Sequence, residues 1–333
     1  MRKILRALVA VVLLVVVGIV GFVVYVSLTY ERDFSGVPLP ALTASKDPEV
    51  IARGAYLTHA VAHCSACHGP GETVTQHKLA ANKDDLRGGY VMKAGPFGTY
   101  YPANITPDLE TGIGKLSDGQ LARIIRHGVS PSGRFDAFMA FAVGPMSDDD
   151  LVAVISYLRS IPPIANPTKK DEWGFVAKAL ASRFSPRMEQ SPPYARPGAE
   201  ASLERGAYLA AGPALCRGCH SPYDAMAGFK LSGVPFSGAG EAEPDGTDPN
   251  YEIIAPNLTP GPETGALASM SEDGFLNRMR AGRRHAGSTM PWENFAQMTD
   301  ADLRSIFRYL KSLPPTRRSV GETRRPAGTK IPG

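Results

Sequence analysis

Three things are scarce in this sequence: cysteine, net charge and long apolar runs. Four cysteines among 333 residues permit at most two bridges and exclude a dense disulfide scaffold. A formal charge of only +4, from 36 basic and 32 acidic side chains, leaves no basic footprint for nucleic acid. An apolar run long enough to span a bilayer occurs once, at the N-terminus, so only a single span is expected. Glycine and proline, by contrast, are plentiful at 34 and 29, which favours loops and short helices over a continuous sheet.

The one apolar run extends from Ala7 to Leu28, behind Met1, Arg2, Lys3 and Arg6. At about 1.5 Å per helical residue it reaches about 33 Å, against a hydrocarbon core of about 30 Å. Basic residues precede it and the mixed set Glu31, Arg32 and Asp33 follows, so the positive-inside rule places the N-terminus in the cytoplasm and everything after Tyr30 outside. A cleaved signal peptide has a shorter apolar region, about 7 to 15 residues, so a retained anchor is expected. The unbroken apolar surface at the extreme N-terminus argues against the alternative of a buried core helix.

All four cysteines fall in two copies of one pattern, Cys64-Ser65-Ala66-Cys67-His68 and Cys216-Arg217-Gly218-Cys219-His220. Cys-x-x-Cys-His is the attachment signature of c-type haem. Thiols at that spacing add to the two vinyl groups of one haem, and the adjacent histidine reaches the iron from one face. A redox-active dithiol wants a βαβ context, and a lone Cys-x-x-Cys is half of a tetrahedral zinc site. Neither accounts for a histidine after the second cysteine in both copies. Two covalently bound haems are expected, with His68 and His220 on the irons.

The motifs belong to an internal repeat. Arg53-Gly54-Ala55-Tyr56-Leu57 recurs as Arg205-Gly206-Ala207-Tyr208-Leu209, and Asn104-Ile105-Thr106-Pro107 as Asn257-Leu258-Thr259-Pro260, at offsets of 152 and 153. Tyr157 to Pro163 and Tyr309 to Pro315 repeat at 152 again. One haem domain has been duplicated. Each copy opens with a helix, near Asp47-Pro48 and near Ser202, where Asp as cap and Pro in the first turn are start signals. Each closes with another, capped at Ser147 and Thr299, acidic in its first turn and apolar at Leu151, Val154, Ile155 and Leu158 or at Leu303, Ile306, Phe307 and Leu310.

These residues resemble the class I cytochrome c fold, over Asp47 to Pro163 and Ser202 to Pro315. The resemblance implies an all-α fold class: two tandem class I cytochrome c domains after a single N-terminal transmembrane helix. It also implies that Gly54 and Tyr56 face Tyr157 and Leu158, and that Gly206 and Tyr208 face Tyr309 and Leu310. The loop from Gly95 to Asp108, followed by Glu110 to Gly114, is similar to cytochrome subunits of periplasmic membrane-bound dehydrogenases for alcohols, gluconate and nicotinate. Those commonly carry three haems; this chain has two motifs, and its anchor is N-terminal. The Asn-Ile-Thr-Pro loop reads as structural, Asn suiting a turn and Pro fixing φ, with a haem-propionate contact from Asn104 or Asn257 as the alternative.

The sixth iron ligand in this fold is usually a methionine ahead of the last helix, and each copy offers two. Met146 and Met298 directly precede the caps, four positions before Leu151 and Leu303 once the cap is passed, which is the spacing of a hydrophobic staple and a sufficient role. Met139 and Met290 lie 71 and 70 residues after the proximal histidines, in segments expected as loops, and are assigned as the ligands. Met290 precedes Pro291 as the family prefers, while Met139 precedes Ala140. His59 and His63, read as sharing a helix face, and His127 and His285 are expected as solvated or propionate-side histidines.

The expected domain plan is an anchor over 1–35, a first haem domain over 36–163, a linker over 164–201, a second haem domain over 202–316 and a basic flexible tail over 317–333. In the linker, Trp173, Val176, Ala177, Leu180 and Phe184 have helical spacing and are expected to pack between the two domains; a partner or lipid surface, helped by Lys169, Lys170, Lys178, Arg183 and Arg187, is the alternative. His/Met ligation leaves no open iron position and suits an electron carrier. The expected function is electron transfer, in the cytoplasmic membrane with the haem domains periplasmic, between a dehydrogenase or respiratory donor and a downstream acceptor. A two-haem peroxidase or thiosulfate-oxidising enzyme is the competing class; it needs one open haem face, an asymmetry the near-equal methionine spacing argues against.

Overall fold

The computed structural model describes residues 2–70, 83–184, 186, 197–224 and 230–332; Met1, Arg187, Pro192, Pro193 and Gly333 lie outside the described residues. Helix α1 (Arg2–Thr29) is the one helix among them long and apolar enough to cross a membrane. Helix α2 (Pro48–Tyr56) starts where its signals stand, with the Asp47 carboxylate accepting the Glu49 N–H. A π-helical turn, Leu57–Val61, extends it toward α3 (Ser65–His68). A reciprocal Ser117/Gln120 capping box opens α4 (Asp118–His127), Asp136 caps α5 (Ala137–Ala142), and Ser147 caps α6 (Asp148–Ser160). After α7 (Phe175–Ala181) the second copy repeats the series as α8 (Leu203–Ala211), α9 (Cys216–Cys219), α10 (Glu272–Arg280), α11 (Trp292–Phe295) and α12 (Asp300–Ser312).

In each copy the first and last helices cross at a glycine. A Cβ on Gly54 would stand 1.9 Å from the Ala153 carbonyl oxygen and 2.8 Å from Tyr157 Cβ, and one on Gly206 2.0 Å from Ser305 O and 2.7 Å from Tyr309 Cβ. Gly54 therefore meets Tyr157 as expected. Tyr56 does not share that face, because residues two apart on a helix point in opposed directions; its hydroxyl runs to Asp302 in the other copy, 2.5 Å away. Leu57, Leu151 and Ile155 join Leu209, Leu303 and Ile306 in one apolar core that includes both copies.

Among the described residues the chain also makes three small antiparallel sheets, so the helical plan carries strand pairings that were not expected. Strands β1 (Met92–Lys93), β2 (Gly98–Tyr100) and β3 (Glu172–Trp173) form one in that order, and β4 (Tyr223–Asp224) pairs with β5 (Lys230–Leu231). Strands β6 (Glu243–Pro244), β7 (Tyr251–Ile253) and β8 (Arg324–Pro326) repeat the first sheet. Both outer strands β3 and β8 come after the last helix of their copy.

Two expected boundaries change as a result. Residues 164–174 belong to the first copy: β3 pairs with β2, and Asn166 Nδ2 donates to Arg87 O at 2.8 Å. The basic end after Arg317, expected as a flexible tail, is tied into the second copy. Arg325 and Val320 are buried, Arg324 pairs with Asp245 at 2.7 Å and Arg325 with Glu252 at 2.8 Å, and Arg318 donates to three successive carbonyls, Ser237, Gly238 and Ala239. The cations are held by these carboxylates and carbonyls, which outweighs their composition. Helix α7 packs against the turn Gly95–Phe97 and α1, not between the two copies.

Replacing Gly206 by Ala is expected to lower stability by about 1–3 kcal/mol, because backbone on the facing helix cannot rotate away and the methyl overpacks the crossing. Denaturant unfolding followed by circular dichroism measures it; an unchanged midpoint would refute the crossing.

Candidate haem-attachment sites

Cys64 caps α3, with Cys67 and His68 in its single turn, and Cys216 and Cys219 bracket α9, with His220 at its end. One helical turn sets two thiols three residues apart on one side and the histidine beside them. The residue before each motif, His63 or Leu215, takes φ of 41° or 54°, a left-handed conformation costly for a side-chain-bearing residue and held here by its surroundings. His63 thus leaves the helix face that His59 occupies.

Both histidines are fixed the same way. His68 Nδ1 lies 2.7 Å from Ala103 O and His220 Nδ1 2.9 Å from Pro256 O. Donation to a carbonyl through Nδ1–H leaves the Nε2 lone pair for a metal. Burial lowers both imidazole pKa values against the smaller opposing effect of that carbonyl, which favours the neutral form that ligation needs. The half-buried thiols are pushed the other way by burial, Cys64 and Cys216 to about 12 and Cys67 to about 11. Such surroundings disfavour the thiolates of a zinc site or a reactive dithiol and place no penalty on neutral thioethers. The residues fit a covalently attached haem, whose chemistry is a one-electron iron couple.

The two carbonyls that hold the histidines immediately precede Asn104 and Asn257, which are buried. Asn104 Oδ1 accepts from the Thr106 N–H and hydroxyl at 3.0 and 2.8 Å, and its Nδ2 donates to Thr111 Oγ1 and Ile164 O at 3.1 and 2.7 Å. Asn257 bonds Thr259 in the same manner and donates to Thr264, Thr316 and Arg318. Every polar atom of both amides is engaged within the protein, so the structural reading of this loop is the one the geometry supports. Its role is to pin the carbonyl that orients the histidine.

Met146 and Met298 are each 1% exposed and sit in the apolar core with Leu151 and Leu303. Met139 and Met290 are half-buried. Met290 is in irregular chain just ahead of α11, whereas Met139 lies on α5 and not in a loop: Asp136 caps its N–H and supplies a helix start that the sequence reading passed over. Missed too were Arg126 and Arg280, which bind the carbonyls of Met146 and Met298, each at 2.6 Å, and the carboxylates of Asp148 and Asp300 at 2.5 and 2.7 Å. They tie the chain after each candidate ligand segment to the start of the last helix.

The two sites interlock. Asn294 on α11 donates to His59 O at 2.7 Å and Ser65 Oγ at 3.0 Å, and Phe295 stands edge-on to His63 at 5.4 Å. Reciprocally, Phe141 on α5 stands edge-on to Tyr223 at 5.2 Å, and a Cβ on Gly218 would lie 3.2 Å from its ring. The segment carrying each candidate methionine therefore packs on the attachment turn of the other copy.

No family model matches the chain. The cytochrome c subunit of the quinone alcohol dehydrogenase of Komagataeibacter europaeus is 31% identical over 303 residues, which are 84% of this chain and 59% of that protein. The gluconate 2-dehydrogenase cytochrome c subunit of Pantoea cypripedii is 30% identical over 79% of this chain and 59% of its own length. A diheme c-type cytochrome of Cereibacter sphaeroides is 26% identical over 75% and 82%. The homologues of this chain are thus cytochrome c subunits of dehydrogenases and a diheme cytochrome c. The chain spans less than two thirds of the dehydrogenase subunits it matches.

Among the other histidines of this cytochrome homologue, His59 is buried, with Nε2 2.7 Å from Tyr157 Oη. It is therefore not solvated, the first of its two expected readings. Burial first, and Lys83 second, lower its pKa to about 4, with Asp84 opposing. A histidine depressed below its unfolded value near 6.5 gives full stability above pH 6.5 and loses it as pH falls toward 4. Between pH 7 and 4.5, the wild type is expected to lose about 2–3 kcal/mol more than His59→Gln, read from urea unfolding of both at each pH; parallel losses would refute it. Asp302→Ala, which strands buried Arg205 and the Tyr56 hydroxyl, is expected to cost about 3–5 kcal/mol in the same assay at pH 7.

Proposed function

We propose that the chain is a membrane-anchored di-haem cytochrome c, built of two tandem class I domains, that passes electrons from a dehydrogenase to a downstream acceptor. The observation that carries this reading is the doubled cradle: two Cys-x-x-Cys-His turns, each with its histidine held through Nδ1 by the carbonyl ahead of a buried asparagine. Cys64, Cys67 and His68 hold one haem and Cys216, Cys219 and His220 the other. Met139 and Met290 complete the iron ligands, a reading supported by the engagement of Met146 and Met298 in the core. A histidine and a methionine holding each haem would leave its iron no open position, and the bound group would supply the one-electron couple that a carrier needs. The packing of each methionine segment on the partner attachment turn supports direct passage between the two haems.

Helix α1 serves as the anchor, with Arg2, Lys3 and Arg6 cytoplasmic and both haem domains in the periplasm. The names of the relatives, cytochrome subunits of alcohol and gluconate dehydrogenases, support a dehydrogenase as electron donor.

Serine at both Cys64 and Cys67 is expected to leave one haem per chain by haem-to-protein ratio. Met290→His is expected to keep a six-coordinate iron but lower one of two midpoint potentials by about 0.1–0.3 V, a part of the roughly 0.8 V that axial ligation spans. A potentiometric titration with spectra reads both; Met298→Leu should leave the potentials in place. A high-spin haem that binds cyanide readily in the unmodified protein would move an enzymatic role ahead of the carrier.

A further inference from the structure

Helix α1 meets the first haem unit along a single stripe. Phe22, Val26 and Tyr30 recur every four residues and so share one helix face. The Phe22 ring lies 6.0 Å edge-on from Phe175 at the head of α7, Val26 is the one buried residue of α1, and the Tyr30 ring lies 6.4 Å from Trp173. Phe22 precedes Leu28, the end of the apolar run, by a stretch of helix about 9 Å long. With α1 in a bilayer, the head of α7 is therefore carried below the level at which the apolar run ends. That depth matches the 5–10 Å reached by interfacial amphipathic helices. Phe175 is 45% exposed there, an apolar ring with one side on α1 and the other open.

A cationic collar lies above it. Lys178 Nζ stands 4.8 Å from the Tyr30 ring centroid and the Arg32 guanidinium 4.9 Å from that of Phe34, while Lys169, Lys170 and Arg183 are exposed. The acidic groups nearby are engaged: Asp171 with Arg134 at 2.7 Å, Glu31 with the Tyr30 hydroxyl and Glu172 with that of Tyr101. A recess of about 380 Å³ opens between the end of α1, β3 and α7; four cations, Arg32, Arg134, Lys170 and Lys178, line it together with the three carboxylates of Glu31, Asp171 and Glu172, which leaves a net positive charge.

We infer that α7 and this recess form a second, peripheral membrane contact whose occupant is an anionic phospholipid of the outer leaflet. Phe175 enters the boundary of the acyl chains, and Arg32, Lys170 and Lys178 take the headgroup phosphate. The contact holds the first haem unit at a fixed tilt to the membrane. It rests on α1 being a membrane span and names what that reading leaves open, the surface that covers α7.

The test uses the full haem-loaded chain in nanodiscs of phosphatidylcholine, with and without phosphatidylglycerol, spin-labelled through Phe175→Cys or, separately, Leu14→Cys in mid-α1. At position 175, collisions with oxygen relative to a water-soluble nickel chelate are expected to rise several-fold when phosphatidylglycerol is present. Lys170→Gln with Lys178→Gln is expected to abolish that rise. A label at 175 that stays water-accessible in both lipids, while the label at 14 is lipid-buried, overturns the contact and leaves the span intact. Water access at 14 overturns the span itself and the contact with it. A label at 175 shielded from both reagents shows that protein covers α7, and overturns the lipid assignment.

Discussion

Asp150 and Asp302 carry no solvent exposure, and a carboxylate so placed is tolerable only if charge and hydrogen bonds meet it on all sides. Each is met from both copies. Arg53 binds Asp150 within the first copy and Tyr208 reaches it from the second at 2.8 Å. Arg205 binds Asp302 within the second copy and Tyr56 reaches it from the first. The tyrosine hydroxyls also accept the cap N–H groups of Ser147 and Thr299, each at 3.1 Å. Burial and the facing carboxylate push Tyr56 up to about 12, so it stays a donor. Each aspartate is paired with an arginine of its own copy and receives a further donor from the other, and the reciprocal arrangement binds the duplicated halves into one unit.

From that joint the rest follows. The aspartates sit in the first turns of α6 and α12, the helices that cross α2 and α8 at Gly54 and Gly206, so fixing them fixes both crossings. The crossings in turn set the helix ends from which the attachment turns emerge. The chain after each last helix then returns to the asparagine loop, through Ile164 or through Thr316 and Arg318, and holds the carbonyl that orients the histidine. Histidine orientation is thus tied by short hydrogen-bonded steps to the same elements that join the copies.

The helix starts at Asp47, Ser147 and Thr299, the duplication at offsets of 152 and 153, the two attachment motifs and the N-terminal apolar run were legible in the residues. Each is a local signal: a cap and its acidic first turn, a five-residue motif, an uninterrupted apolar stretch. The asparagine loop was legible as a repeat but not as the support of a histidine, because the group that acts is a backbone carbonyl, supplied by Ala103 in one copy and Pro256 in the other, which leaves no mark in side-chain identity.

Other features depended on partners far away in sequence. Tyr56 was placed beside its own last helix, yet its partner is 246 residues distant, and only the relative placement of the copies brings it there. Strands β3 and β8 are two and three residues long, too short for any periodicity, and their pairing draws the start of an expected linker and an expected tail into the two copies. The sequence by itself determined that the Cys-x-x-Cys-His motif and the unit around it are doubled, because covalent attachment of a haem would demand that fixed local spacing. Only the tertiary structure decided how the halves interlock, because a buried carboxylate takes whichever donors the packing brings within hydrogen-bond reach.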